Sequence, residues 1–412
     1  VSIFIDILGF TILIPLLPFY AEEYEVSTIV VGLLLSTNAI FGFICGPILA
    51  KLSDRYGRKP LLLISQAGTM IGFVMLAFSK TLPMVFLSRI IDGLFGGNYP
   101  IGKAVIGDVV PPKHRAKQMA NIGVAHILSS LIGPGLGGLL FDAFGIIAPG
   151  LVAAFLSLGT LLLTVFLLKE SLPRKRIELG LPLLEHTKGV YDEPQHQPHI
   201  LTDEKHNPIG HSKIARPTSL WKNRRARISL TIWAFHTFSF IIYVTTISLF
   251  AKEQLGLTAR EVGLTLTISG VFRLFVRFVI FVPLLNRLGQ RKTLTLGLGL
   301  FIIAFILLSF VQDTIQFALV LTLVSFAASC SRGPLNAFIS RSVGPRDQGK
   351  ISGISSSLDS FSQIIGPLFG GMIFFYFETS WFGIFIAFFA AIAFVLMFRL
   401  PKYEDVEKHS HK

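Results

Sequence analysis

Asp6, Arg89, Asp92, Arg273, Arg332 and Asp359 fall inside long apolar runs. Placing such a group at the centre of a bilayer costs roughly 2.5–3.5 kcal/mol on insertion scales, so charges at that depth normally carry protons, ions or substrate. At about 1.5 Å per residue, Asp6 lies about 14–18 Å from Pro15–Pro18, close to the middle of a span. It has no base at i±3 or i±4. A carboxyl there can take up and release a proton; the competing role is that of a permanently ionised partner for a nearby base. Arg89 and Asp92 are three apart on one helix face and can neutralise each other. In the second half of the chain Arg273 and Arg332 outnumber Asp359. Either an anionic group of a substrate completes that balance, or Asp6 and Asp92 reach across. Asn38, Gln66, Asn98, Tyr243, Asn336 and Gln363 are candidates for polar lining, though helix packing explains any one of them as well. Lys103, Asp108 and Arg277 are read as snorkelling toward an interface.

The elements that must hold these groups are membrane helices. Hydrophobic residues make up 52% of the 412 and charged residues 15%, and the mean hydropathy is +0.65. No ordinary soluble domain needs that balance. Apolar runs predict an all-α membrane protein with twelve helices at about 1–20, 27–50, 61–79, 84–110, 118–140, 146–168, 229–250, 261–284, 293–311, 315–343, 351–375 and 380–400. The net charge of +13 is unevenly placed. Loops holding Lys51, Arg55, Arg58 and Lys59, then Lys113, Arg115 and Lys117, then Arg287, Arg291 and Lys292, then Arg346 and Lys350 alternate with neutral or acidic loops. That alternation puts the basic loops and both chain ends in the cytoplasm and makes nucleic acid a poor partner. Cys45 and Cys330 both lie in apolar runs, so neither a disulfide framework nor a thiol metal site is indicated.

The chain repeats itself. Asp54, Arg55 and Gly57 return as Asn286, Arg287 and Gly289, an offset of 232 residues, and Gly133-Pro-Gly-Leu-Gly-Gly138 returns as Gly366-Pro-Leu-Phe-Gly-Gly371. Two related halves, 1–168 and 229–400, are expected. Between them, residues 169–228 turn rich in Pro, His, Lys and Glu and are expected to be a disordered cytoplasmic linker; 401–412 is a cytoplasmic tail. Five linker histidines (His186, His196, His199, His206 and His211) lack the regular spacing of a metal site. Gly133, Gly135 and Gly138 fit a dinucleotide-loop pattern but follow no strand, and the near phosphate loop at Gly97–Lys103 has Ala104 where a magnesium-binding hydroxyl is needed. No cofactor and no enzyme chemistry are therefore expected.

Ala50-Lys-Leu-Ser-Asp-Arg-Tyr-Gly-Arg-Lys59 resembles the cytoplasmic signature of the major facilitator superfamily. Arg89-Ile-Ile-Asp-Gly93 is similar to its fourth-helix signature and Gly133–Gly138 to its fifth-helix antiporter signature. Asp6–Pro18 is similar to the first helix of the tetracycline-efflux and multidrug:proton antiporter branch. Ala50 stands where the family usually has Gly, and Asp92 where Gln is common. The resemblance implies a fold of two six-helix halves that rock about a central site. It assigns proton coupling to Asp6, with Arg89 aimed at the first helix; Asp92, an acid that the family pattern does not predict, is counted with them for its i, i+3 place beside Arg89. It makes Asp54, Arg55, Gly57, Arg58 and Lys59 a cytoplasmic gate, and Gly133, Pro134, Gly135 and Gly138 the antiporter helix motif. The candidate substrate cavity is Arg273, Arg332, Asp359, Asn38 and Tyr243. The function so implied is secondary active efflux of a small organic molecule or drug in exchange for protons, in a plasma, vacuolar or other organellar membrane, by a monomer in the lipid bilayer. An organic-anion facilitator or symporter, suggested by Arg273 and Arg332, is the alternative within transport. A transporter-like receptor or scaffold is the alternative outside it.

Overall fold

The structure, a computed structural model, describes residues 2–182, 223–344 and 347–400, apart from the side chains at 112, 116, 120, 277 and 278. Among these residues there is no strand. Helices run in the order α1 (Ser2–Leu13), α2 (Leu17–Glu22), α3 (Thr28–Tyr56), α4 (Arg58–Ala77), α5 (Leu82–Leu94), α6 (Asn98–Val109), α7 (Pro112–Phe144), α8 (Ile147–Leu167), α9 (Pro173–Glu178), α10 (Arg224–Leu255), α11 (Ala259–Phe275), α12 (Val282–Leu308), α13 (Thr314–Ser340), α14 (Gln348–Tyr376) and α15 (Trp381–Phe398). Among the described residues ten helical stretches are long and apolar enough to cross a membrane. One of them, Ala259–Leu308, spans 50 residues and doubles back at Gly289 (φ 73°). Helices α5 and α6 together make one more crossing, which brings the total to the expected twelve.

Three departures from continuous helix have local causes. Pro15 and Pro18 break the first crossing into α1, a 3-10 turn at Ile14–Leu16 and α2, because a proline ring collides with the carbonyl four residues back. The fourth crossing, expected to be continuous over 84–110, is interrupted at 95–97. Pro100 has no amide proton to give the Gly96 carbonyl, and at the break the Phe95 carbonyl accepts from the Gly97 amide (2.7 Å) and from the Ser65 hydroxyl. Between α11 and α12 the chain widens into a π-helix, Val276–Phe281, immediately before Pro283.

Gly57 (φ 110°) and Gly289 (φ 73°) are equivalent members of the two halves, and both occupy backbone that favours glycine. The sequence repeat is thus also a repeat of backbone geometry. The start of the linker is ordered: Lys169–Pro182 hold α9, and Arg176 donates to the carbonyls of Glu170 (2.6 Å) and Pro182 (2.6 Å). The rest of the linker, with its five histidines, and the tail at 401–412 lie outside the described residues.

The halves meet along two seams, α3 on α14 and α7 on α11. The contacts that join them cluster toward one end, here termed the closed end. Thr28 donates to the Gly371 carbonyl at 2.9 Å, Lys252 pairs with Glu22 at 2.8 Å, and Arg260 with Asp142 at 3.3 Å. At Gly32, Gly138, Gly263 and Gly371 a β-carbon would run into the backbone of the opposite half. Small residues here let helix backbones touch. The basic turn after α3 is at the other end.

Candidate functional site

Asp6 is half-buried on α1, and its Oδ1 accepts from the Thr160 hydroxyl of α8 at 3.0 Å. That hydroxyl also lies 2.8 Å from the Ser157 carbonyl. One proton faces two acceptors. With Asp6 ionised, Thr160 donates to the carboxylate. With Asp6 protonated, the acid donates to the Thr160 oxygen and the Thr160 proton turns to Ser157. Both protonation states are therefore hydrogen-bonded at no cost in unpaired groups.

Asp92 and Arg89 are almost wholly enclosed, 6% and 2% exposed. Arg89 Nη1 lies 3.4 Å from Asp92 Oδ2, and Asn38 Nδ2 of α3 donates to the same oxygen at 2.8 Å. The guanidinium sits over the Phe73 ring. Of the two arrangements open from sequence, Arg89 is thus engaged by Asp92 on its own helix, while Asp6 is served by Thr160. Asn38 supports this pair.

At the basic end, Arg58 is the hub. It pairs with Asp54 at 2.5 Å and Asp108 at 2.9 Å, and donates to Ser53 Oγ at 2.8 Å. Asp108, read from sequence as a snorkelling residue, is instead a partner of Arg58 in this cluster. Glu170 is a further member that sequence reasoning missed. It accepts from the Arg58 and Lys59 backbone amides at 2.9 and 3.2 Å, capping α4 with a carboxylate where the helix dipole favours one. A β-carbon at Gly57 would come 2.5 Å from Glu170 Oε2, so Gly57 is needed for space as well as for φ. Lys59 Nζ donates to the Val165 carbonyl, and Arg55 lies over the Tyr56 ring. Asp54 itself is largely exposed. Replacing Asp54 or Asp108 by Asn is expected to leave the protein folded and to lower turnover several-fold, since Arg58 keeps its other partners; a parent-like rate in both variants would remove this cluster from the cycle.

The Gly133–Gly138 segment of α7 is two-sided. Gly133 and Gly137 press against Thr11 and Ile12 of α1, and Gly135 and Gly138 against Thr267 and Ala259 of α11. Pro134 offers its carbonyl to the close approach of Gly263. The amide of Gly135 donates to Thr267 Oγ1 (3.0 Å), which donates onward to the Leu131 carbonyl (2.9 Å). A hydroxyl from the second half is thereby inserted in the i→i−4 ladder of a first-half helix, a known cause of local helix bending.

The second-half candidates gather around one aromatic face of α10. Asp359 Oδ1 accepts from Trp233 Nε1 at 2.9 Å. The Arg332 guanidinium lies 5.9 Å from the Trp233 ring centroid and 5.3 Å from that of Phe240. Arg273 Nε donates to Ser325 Oγ at 3.2 Å. Tyr243, expected to line a cavity, is packed between Phe240 and Phe305 and 5% exposed. Gln66 is likewise enclosed, whereas Asn336 and Gln363 are exposed. Among the described residues no group of three His, Cys, Asp or Glu side chains is placed to hold a metal.

Known proteins resemble this chain in sequence and in fold. The family model described as Major Facilitator Superfamily matches residues 1–278 and again 232–412. The chain is 27% identical over 389 residues to the tetracycline resistance protein, class H, of Pasteurella multocida, covering 92% of this chain and 89% of that protein. It is 27% identical over 378 residues to multidrug resistance protein 2 of Bacillus subtilis (strain 168), covering 90% and 87%. Among solved structures, it superposes on the human organic anion transporter MFSD10 (TETRAN) with a TM-score of 0.64 at 21% identity, covering 96% and 97% of the two chains. On a D-xylose-proton symporter the TM-score is 0.72 at 17% identity, covering 97% and 96%. The chain belongs to the Major Facilitator Superfamily and is an integral, multi-pass membrane transporter of small molecules, not an enzyme.

Proposed function

We propose that this transporter exports a small organic molecule in exchange for protons, with Asp6 as the proton carrier. The observation that carries the reading is the Asp6–Thr160–Ser157 arrangement, in which a mid-span carboxyl is matched to both protonation states. The enclosed Asp92 is held by Arg89 and Asn38, so Asp6 is the acid free to change charge. The efflux direction rests on the resistance proteins to which the chain is similar. With the basic loops cytoplasmic, the closed end is the outer one and the structure represents an inward-facing state. The Asp54–Arg58–Asp108 cluster, intact in this state and held within the first half, is then the inner-side surface that meets the second half when the halves rock. We place the protein as a monomer in a plasma or organellar membrane, with the inter-half linker and tail on the cytoplasmic side.

Uptake and efflux by reconstituted vesicles under an imposed pH gradient, screened with cationic and anionic compounds, tests the proposal. Substrate should move against the proton gradient; flux indifferent to the gradient would contradict it. Thr160→Val removes a hydrogen bond to a charged group, worth about 1.5–3 kcal/mol. Gradient-driven flux should fall about tenfold or more, and Thr160→Ser should restore it. Equal rates for the Val and Ser variants would make Thr160 a packing residue only.

A further inference from the structure

The two halves repeat one basic turn but neutralise it differently. In the first half Arg58 pairs with Asp54 and Asp108, and Glu170 accepts from the amides of Arg58 and Lys59. At the repeat offset of 232 residues Asp54 becomes Asn286, and at 232 or 233 Asp108 becomes Ser340 or Arg341. The bases stay. Lys59 becomes Arg291, and each donates to a backbone carbonyl near the end of the last helix of its half, Val165 for the one and Leu400 for the other. Lys292 follows and is exposed. Among the described residues no carboxylate lies within ion-pairing distance of Arg287, Arg291 or Lys292, and the Lys292 ammonium has no hydrogen-bond partner.

Arg291 and Lys292 stand at the mouth of a groove of about 710 Å³ between α12 and α15. Along α12 its wall runs through Lys292, Leu296, Gly299 and Ile303, at spacings of four, three and four, and Phe394 of α15 flanks it. Gly299 makes the groove. A β-carbon there would meet only Phe394, at 3.5 Å, which is ordinary contact, so helix packing does not call for glycine at this position. At Gly297 a β-carbon would come within 2.8 Å of the Cys330 and Ser331 backbone, and packing explains that glycine. From Lys292 to Ile303 the groove runs about 16 Å, close to half of a hydrocarbon core about 30 Å thick. It spans one leaflet, with bases at the headgroup level and apolar residues beyond them.

We propose that this groove holds an anionic phospholipid of the leaflet into which the basic turns project. Its phosphate sits at Arg291 and Lys292, and one acyl chain lies over Gly299 against Phe394. The phosphate supplies the negative charge that Asp54, Asp108 and Glu170 supply in the first half. Arg291 has N–H donors to give beyond the one held by Leu400, and Lys292 has all of its own. A zwitterionic lipid of the same chain length fills the groove equally well but brings its own cation to the bases, so charge selects between the two. A soluble anion would match the bases and leave the groove empty. The site is independent of the transported substrate and of proton exchange.

Photo-crosslinking locates the lipid. The full-length protein is placed in phosphatidylcholine nanodiscs that carry a small, equal fraction of either phosphatidylglycerol or phosphatidylcholine with a diazirine in one acyl chain. Labelled peptides are then identified by mass spectrometry. Phosphatidylglycerol should label the Lys292–Ile303 stretch and the segment around Phe394 at least tenfold more than phosphatidylcholine does. A base near an anionic surface strengthens binding about fivefold, so Lys292→Gln should lower that excess about fivefold. Lys350→Gln removes a base at the same end but outside the groove and should leave the excess unchanged. Gly299→Leu should lower labelling by both lipids several-fold. If a variant fails to fold, the ranking of the two lipids on the parent protein decides alone. Equal labelling by the two lipids, which the tail acids Glu404, Asp405 and Glu407 would produce by covering the bases, would overturn the assignment. Equal losses in Lys292→Gln and Lys350→Gln would also overturn it, as a diffuse attraction to positive charge, and so would full labelling of folded Gly299→Leu protein. Loss of the label to millimolar glycerophosphoglycerol would give the bases to a soluble anion instead.

Discussion

Asp6→Asn is expected to reduce transport driven by a pH gradient by a hundredfold or more while substrate exchange across the membrane without net proton movement continues. Asparagine holds the site permanently in a neutral form that still accepts from Thr160. No charged partner is stranded, because the contact made by Asp6 is a hydroxyl. The protein should therefore insert and fold, and the defect should appear in coupling. Asp92→Asn is the contrast. It leaves the 2%-exposed Arg89 without its carboxylate, and breaking a buried pair in this way costs about 3–5 kcal/mol. That variant should lose much of the folded protein. Gradient-driven flux at the parent rate in folded Asp6→Asn protein would exclude Asp6 as the carrier.

A second large effect is expected at the closed end. At Gly263 even a β-carbon would overlap the carbonyl of Pro134, and Gly138 stands in the same relation to Ala259. The backbones on both sides are in helices and cannot yield locally. Gly263→Leu should therefore force α11 away from α7 and forfeit the Thr267 insertion into α7. Inverting a two-state population from 99:1 to 1:99 takes about 5.5 kcal/mol, within reach of a backbone overlap that only separation relieves. Spin labels at Asp142→Cys and Arg260→Cys, in a protein with Cys45 and Cys330 replaced, report the change. The native side chains at those two positions lie 3.3 Å apart and are exposed, so losing their ion pair should matter little. The short separation should give way to a long one, and transport should fall to a few per cent. A parent-like distance distribution would show that the glycine contact is not what holds this end shut.

Much of this was legible in the sequence, for reasons that are physical. A membrane crossing is a run of apolar residues, and a turn that needs positive φ needs glycine, so the helices and the Gly57–Gly289 equivalence could be read directly. The Gly133–Gly138 motif likewise announced close helix contact, though not that it works on two sides. Contacts between distant segments left no local trace. Asp108 and Glu170 reach Arg58 from 50 and 112 residues away, and nothing in their own neighbourhoods marks them as its partners. The choice of Arg89 between Asp92 and Asp6 depended on how α1, α3 and α5 pack. Thr160 and Thr267 are single hydroxyls in apolar helices, a pattern with too many bland explanations to single out. The break in the fourth crossing was signalled by Gly96, Gly97 and Pro100 but hidden by apolar residues continuing on both sides.

The most direct measurement of the central claim is proton release on substrate binding. The purified protein, in weakly buffered detergent at a pH where the site is protonated, receives the screened substrate while a pH-indicator dye records the proton count. Exchange at Asp6 predicts release of about one proton per bound molecule in the parent and none in Asp6→Asn. No release from the parent, or the same release from the variant, would contradict the account.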